Sequence, residues 1–149
     1  MIREHRRWVL GLASAMVVAI AGCSGGSTPA PSADAVVGAT IVDVALAEWS
    51  VKPSTTTAAP GAVTFRVSNK GTTVHELIVV KTDTKADALP VADGKVAEDG
   101  LTVVDEVEDV AAGTTEDLAL TGLVAGHYAI FCNIEGHYSQ GMHADFDVK

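Results

Sequence analysis

The sequence predicts an all-β fold: a mainly antiparallel sandwich or barrel of short strands, about seven or eight in number. Three observations point there. Apolar side chains alternate with period two in successive runs beyond residue 36, turn signals separate those runs, and no long stretch of period 3.6 competes with them. With 149 residues, 48% hydrophobic and 5% aromatic, the chain suits one compact domain with a modest core.

The first element lies outside that fold. Arg3, Arg6 and Arg7 precede an apolar stretch from Trp8 to Ala21, which has the layout of a secretory signal and is too short for a comfortable membrane span. The stretch closes on Ile20, Ala21, Gly22 and Cys23, which resembles a bacterial lipobox. Small residues directly before the cysteine and a polar linker directly after it favour this over an ordinary secreted protein or a single-span anchor. Cleavage before Cys23 would leave a thiol that carries diacylglycerol, and two or three acyl chains anchor firmly. The expected organisation is a lipoprotein signal peptide over residues 1–22, a lipid-anchored flexible linker over 23–35 and one folded domain over 36–149. Within the linker, SGGSTPAPSADA has too little apolar surface to fold. Removal of residues 1–22 leaves 7 Lys and Arg against 18 Asp and Glu, a formal charge of −11. Such a chain lacks the basic stripe that nucleic acid requires.

The strands follow in order. Val42, Val44 and Leu46 alternate with Asp43, Ala45 and Ala47; Val63, Phe65 and Val67 alternate with Thr64, Arg66 and Ser68 and run into a turn at Asn69, Lys70 and Gly71. His75 to Val80 is an apolar run. The polar stretch Lys81 to Gly100, with Pro90 and Gly94, reads as a surface excursion with room for a short helix. Thr102 to Val110 and Asp117 to Leu120 are further strands, followed by Tyr128 to Cys132 and Met142 to Val148. Within the first of these, "DEVEDV" from Asp105 to Val110 is either a docking surface for a basic partner such as a cytochrome or, preferred, a solvated strand face. Leu123, Gly126 and Tyr128 fit the Leu-x-x-Gly-x-Tyr pattern of a tyrosine corner, which favours the sandwich.

The stretch "FCNIEGHYSQGMH", Phe131 to His143, concentrates the chemistry. If Cys23 is acylated, Cys132 has no partner within the chain, and an exported lone thiol needs either burial as a small hydrophobe or a metal. Alternation places Met142 on the same face as Ala144, Phe146 and Val148, pointing into the core, with His143 on the other face. In the preceding strand Cys132 shares the face of Tyr128 and Ile130, while His127 and Phe131 point outward. Gly136 and Gly141 let the intervening loop bend, so Cys132, His137 and Met142 converge at one end, and His75, at the start of its apolar strand, is the available fourth group. Singly, these residues read as a strand-end polar group, a small hydrophobe, a solvated loop residue and a core filler. Together, two imidazoles, a thiolate and a thioether are the soft set of a blue-copper electron-transfer site; zinc rarely takes methionine.

On "NKGTTVHELIVV" and "GHYAIFCNIEGHYSQGMHADFDV" the segment from about Val36 to Lys149 resembles a cupredoxin of the plastocyanin and azurin superfamily, and its Cys-x4-His-x4-Met spacing is rusticyanin-like. The resemblance implies a Greek-key β-sandwich with one mononuclear type 1 copper, alternating between Cu(I) and Cu(II), under the loop at one pole. His75 and His137 would bind through imidazole nitrogen, Cys132 through thiolate and Met142 axially. It implies an electron port at the exposed edge of His137; Phe131, beside Cys132, is either a second port or simple surface packing. Two positions depart from the family pattern: Glu76 replaces a common Asn or Ser, and Glu135 a common Pro.

Three functions compete. The leading one is a copper protein, not an enzyme, that carries single electrons between exported or membrane-associated redox partners, held by lipid on the extracytoplasmic face of a bacterial membrane. The partner would be another redox protein, such as a basic cytochrome or a copper protein. The alternative is an extracytoplasmic copper-binding or copper-delivery protein without redox turnover, which would exchange its Cu(I) readily. A copper enzyme is weakest, since the chain lacks His-x-His pairs, a paired-cysteine loop and a second such unit.

Overall fold

The computed structural model describes residues 38–149. The signal, acylation and linker expectations, Cys23 included, lie outside those residues. Eleven strands follow in chain order: β1 (Thr40–Ala47), β2 (Ser50–Pro53), β3 (Thr57–Ala58), β4 (Gly61–Asn69), β5 (His75–Lys81), β6 (Val91–Ala92), β7 (Lys95–Val96), β8 (Thr102–Val110), β9 (Thr115–Leu123), β10 (Gly126–Phe131) and β11 (His143–Val148). A 3-10 turn, Tyr138–Gln140, lies between the last two. Among the described residues no helix is long and apolar enough to cross a membrane.

The period-two residues account for the main layers. One sheet has the order β2-β1-β4-β9 and the other β3-β11-β10-β5-β8, and their inner faces meet in a shared core. Val42, Val44, Leu46, Phe65 and Val67 from the first sheet pack against Leu77, Val79, Ile130 and Phe146 from the second, with the Phe65 and Phe146 rings edge to face at 5.1 Å. Most pairings are antiparallel, but β1 runs parallel to β4, with Thr40 opposite Val63 and Leu46 opposite Asn69. Strand β1 therefore starts at one pole and delivers Ala47 to the other, beside the turn that leads into His75. The tyrosine corner is present: the Tyr128 hydroxyl donates to the Val124 carbonyl at 2.8 Å.

Two expectations are corrected by residues 81–100. In place of a short helix, the excursion carries a two-stranded hairpin, β6–β7, because Asp93 and Gly94 both take positive φ (50° and 79°), the turn that an Asp-Gly pair favours. The excursion also lies across the outer face of the second sheet. Ala86, Leu89 and Val96 pack there on Ile78, Val80, Ala129 and Phe131 in a second apolar cluster closed by Tyr138. Phe131 does point away from Cys132, as alternation requires, yet it is fully buried. It is not an exposed electron port. Burial on both faces also explains why β5 reads as an unbroken apolar run. Strand β8 sits at the edge of its sheet with Asp105, Glu106, Glu108 and Asp109 exposed, where charge discourages edge-to-edge pairing.

Candidate metal centre

Four local structures bring the predicted ligands together. The turn before β5 is held by the buried Asn69, whose side-chain amide donates to the Thr73 and Val110 carbonyls at 2.7 and 2.8 Å and whose Oδ1 accepts the Gly71 N–H at 2.8 Å. His75 enters β5 from that turn fully buried. Cys132 follows β10 and its amide donates to the Met142 carbonyl at 3.0 Å; the Met142 amide in turn donates to the His137 carbonyl at 3.3 Å. Gly141, at φ 114°, allows the chain to leave the 3-10 turn and enter β11.

The donor atoms form a closed triangle. His75 Nδ1 lies 3.3 Å from His137 Nδ1, Cys132 Sγ lies 3.4 Å from His137 Nδ1, and Cys132 Sγ lies 4.0 Å from His75 Nδ1. The point equidistant from all three, the circumcentre of those sides, falls inside the triangle about 2.1 Å from each atom, within the roughly 2.0–2.3 Å of metal–nitrogen and metal–sulfur bonds. The spacing of the three donor atoms suits a single ion. Met142 is fully buried in the same cluster as Cys132. A nitrogen-nitrogen-thiolate plane accompanied by a thioether is the donor chemistry of copper rather than of zinc, calcium or magnesium.

Electrostatics prepares these groups. Burial, then the facing His137 ring, holds His75 below the ordinary imidazole range, and burial does the same to His137. Both rings are therefore neutral and able to coordinate at neutral pH. Burial pushes the Cys132 thiol up, so coordination must expel its proton.

The surrounding contacts include several that the sequence did not disclose. Glu76 occupies the position of the expected Asn or Ser, and its Oε1 accepts the Asn133 amide at 2.9 Å, tying β5 to the residue after Cys132. Burial raises the Glu76 carboxyl. Asn133, also buried, fastens the loop to the excursion: its Oδ1 accepts the Val96 amide at 2.6 Å, and its Nδ2 donates to the Val96 carbonyl at 3.1 Å and to Glu98 Oε1 at 2.7 Å. Close by, the Gly136 amide donates to the Gly94 carbonyl at 2.8 Å, and the Tyr138 hydroxyl donates to the Ala86 carbonyl at 2.7 Å while accepting the Leu89 amide at 2.9 Å. At Glu135, where the family often has proline, the side chain packs so closely on Gly94 that a Cβ there would meet Glu135 Cγ at 2.9 Å.

The turn between β1 and β2 supplies two more residues. Glu48 Oε1 lies 3.5 Å from His75 Nε2, and the half-exposed Trp49 ring stands edge-on to His137 at 5.1 Å. A lone acid and a lone tryptophan in a turn carry no local signal of this role. His127 and His143 lie outside the donor cluster, as alternation requires. His127 pairs with Asp147 at 2.9 Å and Asp145 at 3.2 Å, and the His143 ring packs on Tyr138.

Comparison with known proteins agrees with this geometry. A family described as the sulfocyanin (SoxE) domain matches residues 55–149. The chain belongs to the sulfocyanin family. It is thereby a cupredoxin with a single type 1 copper as its cofactor. Among solved structures, dithionite-reduced auracyanin from the photosynthetic bacterium Roseiflexus castenholzii is 21% identical with a TM-score of 0.58, over 75% of this chain and 99% of that one. Auracyanin A of Chloroflexus aurantiacus is 22% identical with a TM-score of 0.55, over 75% of this chain and 100% of that one. Reduced rusticyanin is 21% identical with a TM-score of 0.53, over 73% of this chain and 76% of that one. At these identities the likeness is one of fold. No curated protein matches the sequence.

Proposed function

We propose that this sulfocyanin-family protein is a one-electron carrier whose single copper would be held by His75, His137, Cys132 and Met142. The donor triangle carries the reading, because it leaves room for one ion and is already formed by a rigid pole of the sandwich. Copper, when bound, supplies a centre that gains or loses one electron. The rest is done by the chain. His75, Cys132 and Met142 are fully buried, which keeps water from the site, and paired backbone hydrogen bonds between Cys132, His137 and Met142 hold the donors in one arrangement. With four protein donors around one ion no position is left for substrate, so the supported chemistry is outer-sphere transfer rather than bond making. Burial of three of the four donors also disfavours copper delivery, which needs an exchangeable ion.

Only His137 among the ligands reaches toward the surface, which makes its edge, beside Trp49, the exit for electrons. Auracyanin A, with a similar fold, is described as a blue copper protein. The lipobox-like Cys23 supports lipid attachment on the extracytoplasmic face of a membrane, with an exported or membrane-associated redox protein as partner.

The test is to add Cu(II) to the purified full chain and record visible absorption and electron paramagnetic resonance. The expected product is an intense blue, stoichiometric species with narrow copper hyperfine splitting, absent in Cys132→Ser and retained with an altered potential in Met142→Leu. A colourless or pale wild-type product would sink the assignment.

A further inference from the structure

The turn before His75 contains a carboxylate that the donor set itself does not account for. Glu48 reaches over from the β1–β2 connection, and its Oε1 accepts the Thr72 amide at 2.8 Å, the Thr73 amide at 2.9 Å and the Thr73 hydroxyl at 3.0 Å. The backbone makes room for it. A Cβ at Gly71 would meet Glu48 Oε1 at 2.6 Å, so any side chain there would displace the carboxylate.

A second, independent observation gives the carboxylate a target. His75 is fully buried and directs Nδ1 at Cys132 and His137, while its Nε2 is a buried nitrogen without a hydrogen-bond partner. Glu48 Oε1 lies 3.5 Å from that nitrogen. An imidazole that coordinates through Nδ1 must carry its proton on Nε2, and a buried N–H needs an acceptor. Resting on the copper assignment above, we propose that Glu48 is the positioning residue of the site: it accepts the His75 Nε2–H, fixes the tautomer that offers Nδ1 to the metal, and places a negative charge behind that ligand.

The consequence has a sign. A carboxylate behind an imidazole raises the basicity of the ligand and favours the more highly charged ion, so Glu48 stabilises Cu(II) more than Cu(I). Loss of such an outer partner typically weakens metal affinity 10–100-fold. Glu48→Gln keeps an oxygen for the Thr72 and Thr73 amides but removes the charge. It should lower the Cu(II)-to-Cu(I) affinity ratio about tenfold, a rise in potential of about 59 mV for one electron.

The experiment compares the full-length wild type with Glu48→Gln and with Thr73→Val, which removes one hydroxyl bond to Glu48 and leaves its charge. Reduction potential, Cu(II) and Cu(I) affinities and thermal midpoint are measured for the copper-loaded proteins, and the His75 ring nitrogens are followed by 15N NMR in the copper-free ones. The expected result, in Glu48→Gln alone, is a raised potential and a weakened preference for the Nε2–H tautomer, because a neutral amide oxygen is a poorer acceptor than a carboxylate. If Glu48 merely ties the turn, both variants lower the thermal midpoint while the affinity ratio changes less than twofold and the tautomer persists, which overturns the proposal. A wild type that binds no copper defeats the copper assignment itself; a copper-binding wild type whose Glu48→Gln variant matches it in ratio and tautomer defeats only the role of Glu48.

Discussion

Asn133→Ala tests whether the excursion and the metal loop form one mechanical unit. The substitution removes three side-chain hydrogen bonds at 2.6, 2.7 and 3.1 Å and strands the amide of Val96, a residue only 3% exposed. A stranded buried donor costs about 1–3 kcal/mol and each further net bond about 0.5–1.5 kcal/mol, so the loss should be about 2–4 kcal/mol with partial rescue by water at Glu98. For a domain of this size that corresponds to a thermal midpoint lower by about 8–15 °C. The backbone tie from Asn133 to Glu76 survives the change, so the donor triangle should still assemble. The assay is differential scanning calorimetry of the metal-free protein, with limited proteolysis read at the Lys residues of segment 81–100. A midpoint within about 2 °C of wild type, together with unchanged cleavage there, would refute the idea that Asn133 fastens the excursion to the loop.

Other outcomes follow from the same contacts. In the metal-free protein Cys132 should react with a thiol reagent slowly under native conditions and quickly in denaturant, since it is buried and its thiol is pushed up; rapid native labelling would contradict that burial. Tyr128→Phe should cost about 1 kcal/mol by urea titration through loss of the bond to Val124, with no change in metal spectra. Phe131→Ala should cost about 3–5 kcal/mol, the value for a core aromatic, whereas a surface aromatic would cost little. His75 and His137 are both lowered from 6.5, so the unfolded chain binds protons before the folded metal-free one does. Stability of the metal-free form is then complete above about pH 6.5 and falls as pH drops from there through the folded values, a dependence that urea midpoints should show and His75→Ala with His137→Ala should flatten.

The parts of the fold that could be read from the sequence are those where one face is wet. In β1, Val42, Val44 and Leu46 alternate with polar or small residues, so period two identifies both the strand and its inner face. The same rule placed Cys132 and Met142 inward and His127 and His143 outward. It misjudged Phe131 because an outward direction was equated with solvent, and only the three-dimensional course of residues 81–100 shows that face to be covered. The short strands β2 and β3 were missed because Ser50–Pro53 and Thr57–Ala58 are too short for period two to register. Three of the candidate donors, Cys132, His137 and Met142, were legible because Cys-x4-His-x4-Met is a local pattern, and His75 because it opens an apolar strand just after a turn. Glu48 and Asn133 were not, since each acts on groups brought to it by chain crossings more than twenty residues away, and an isolated acid or amide has no periodicity to betray its partner.

The direction of β1 also decides which end of the domain an upstream pull would reach. Its eight residues, about 25 Å of extended chain, separate the entry at Thr40 from the pole that holds His75. Anything that pulls on the chain from upstream of Gly38 pulls on the far end of the sandwich. A tether there and a partner at His137 would occupy opposite ends, so the domain could be leashed at one end and open for docking at the other.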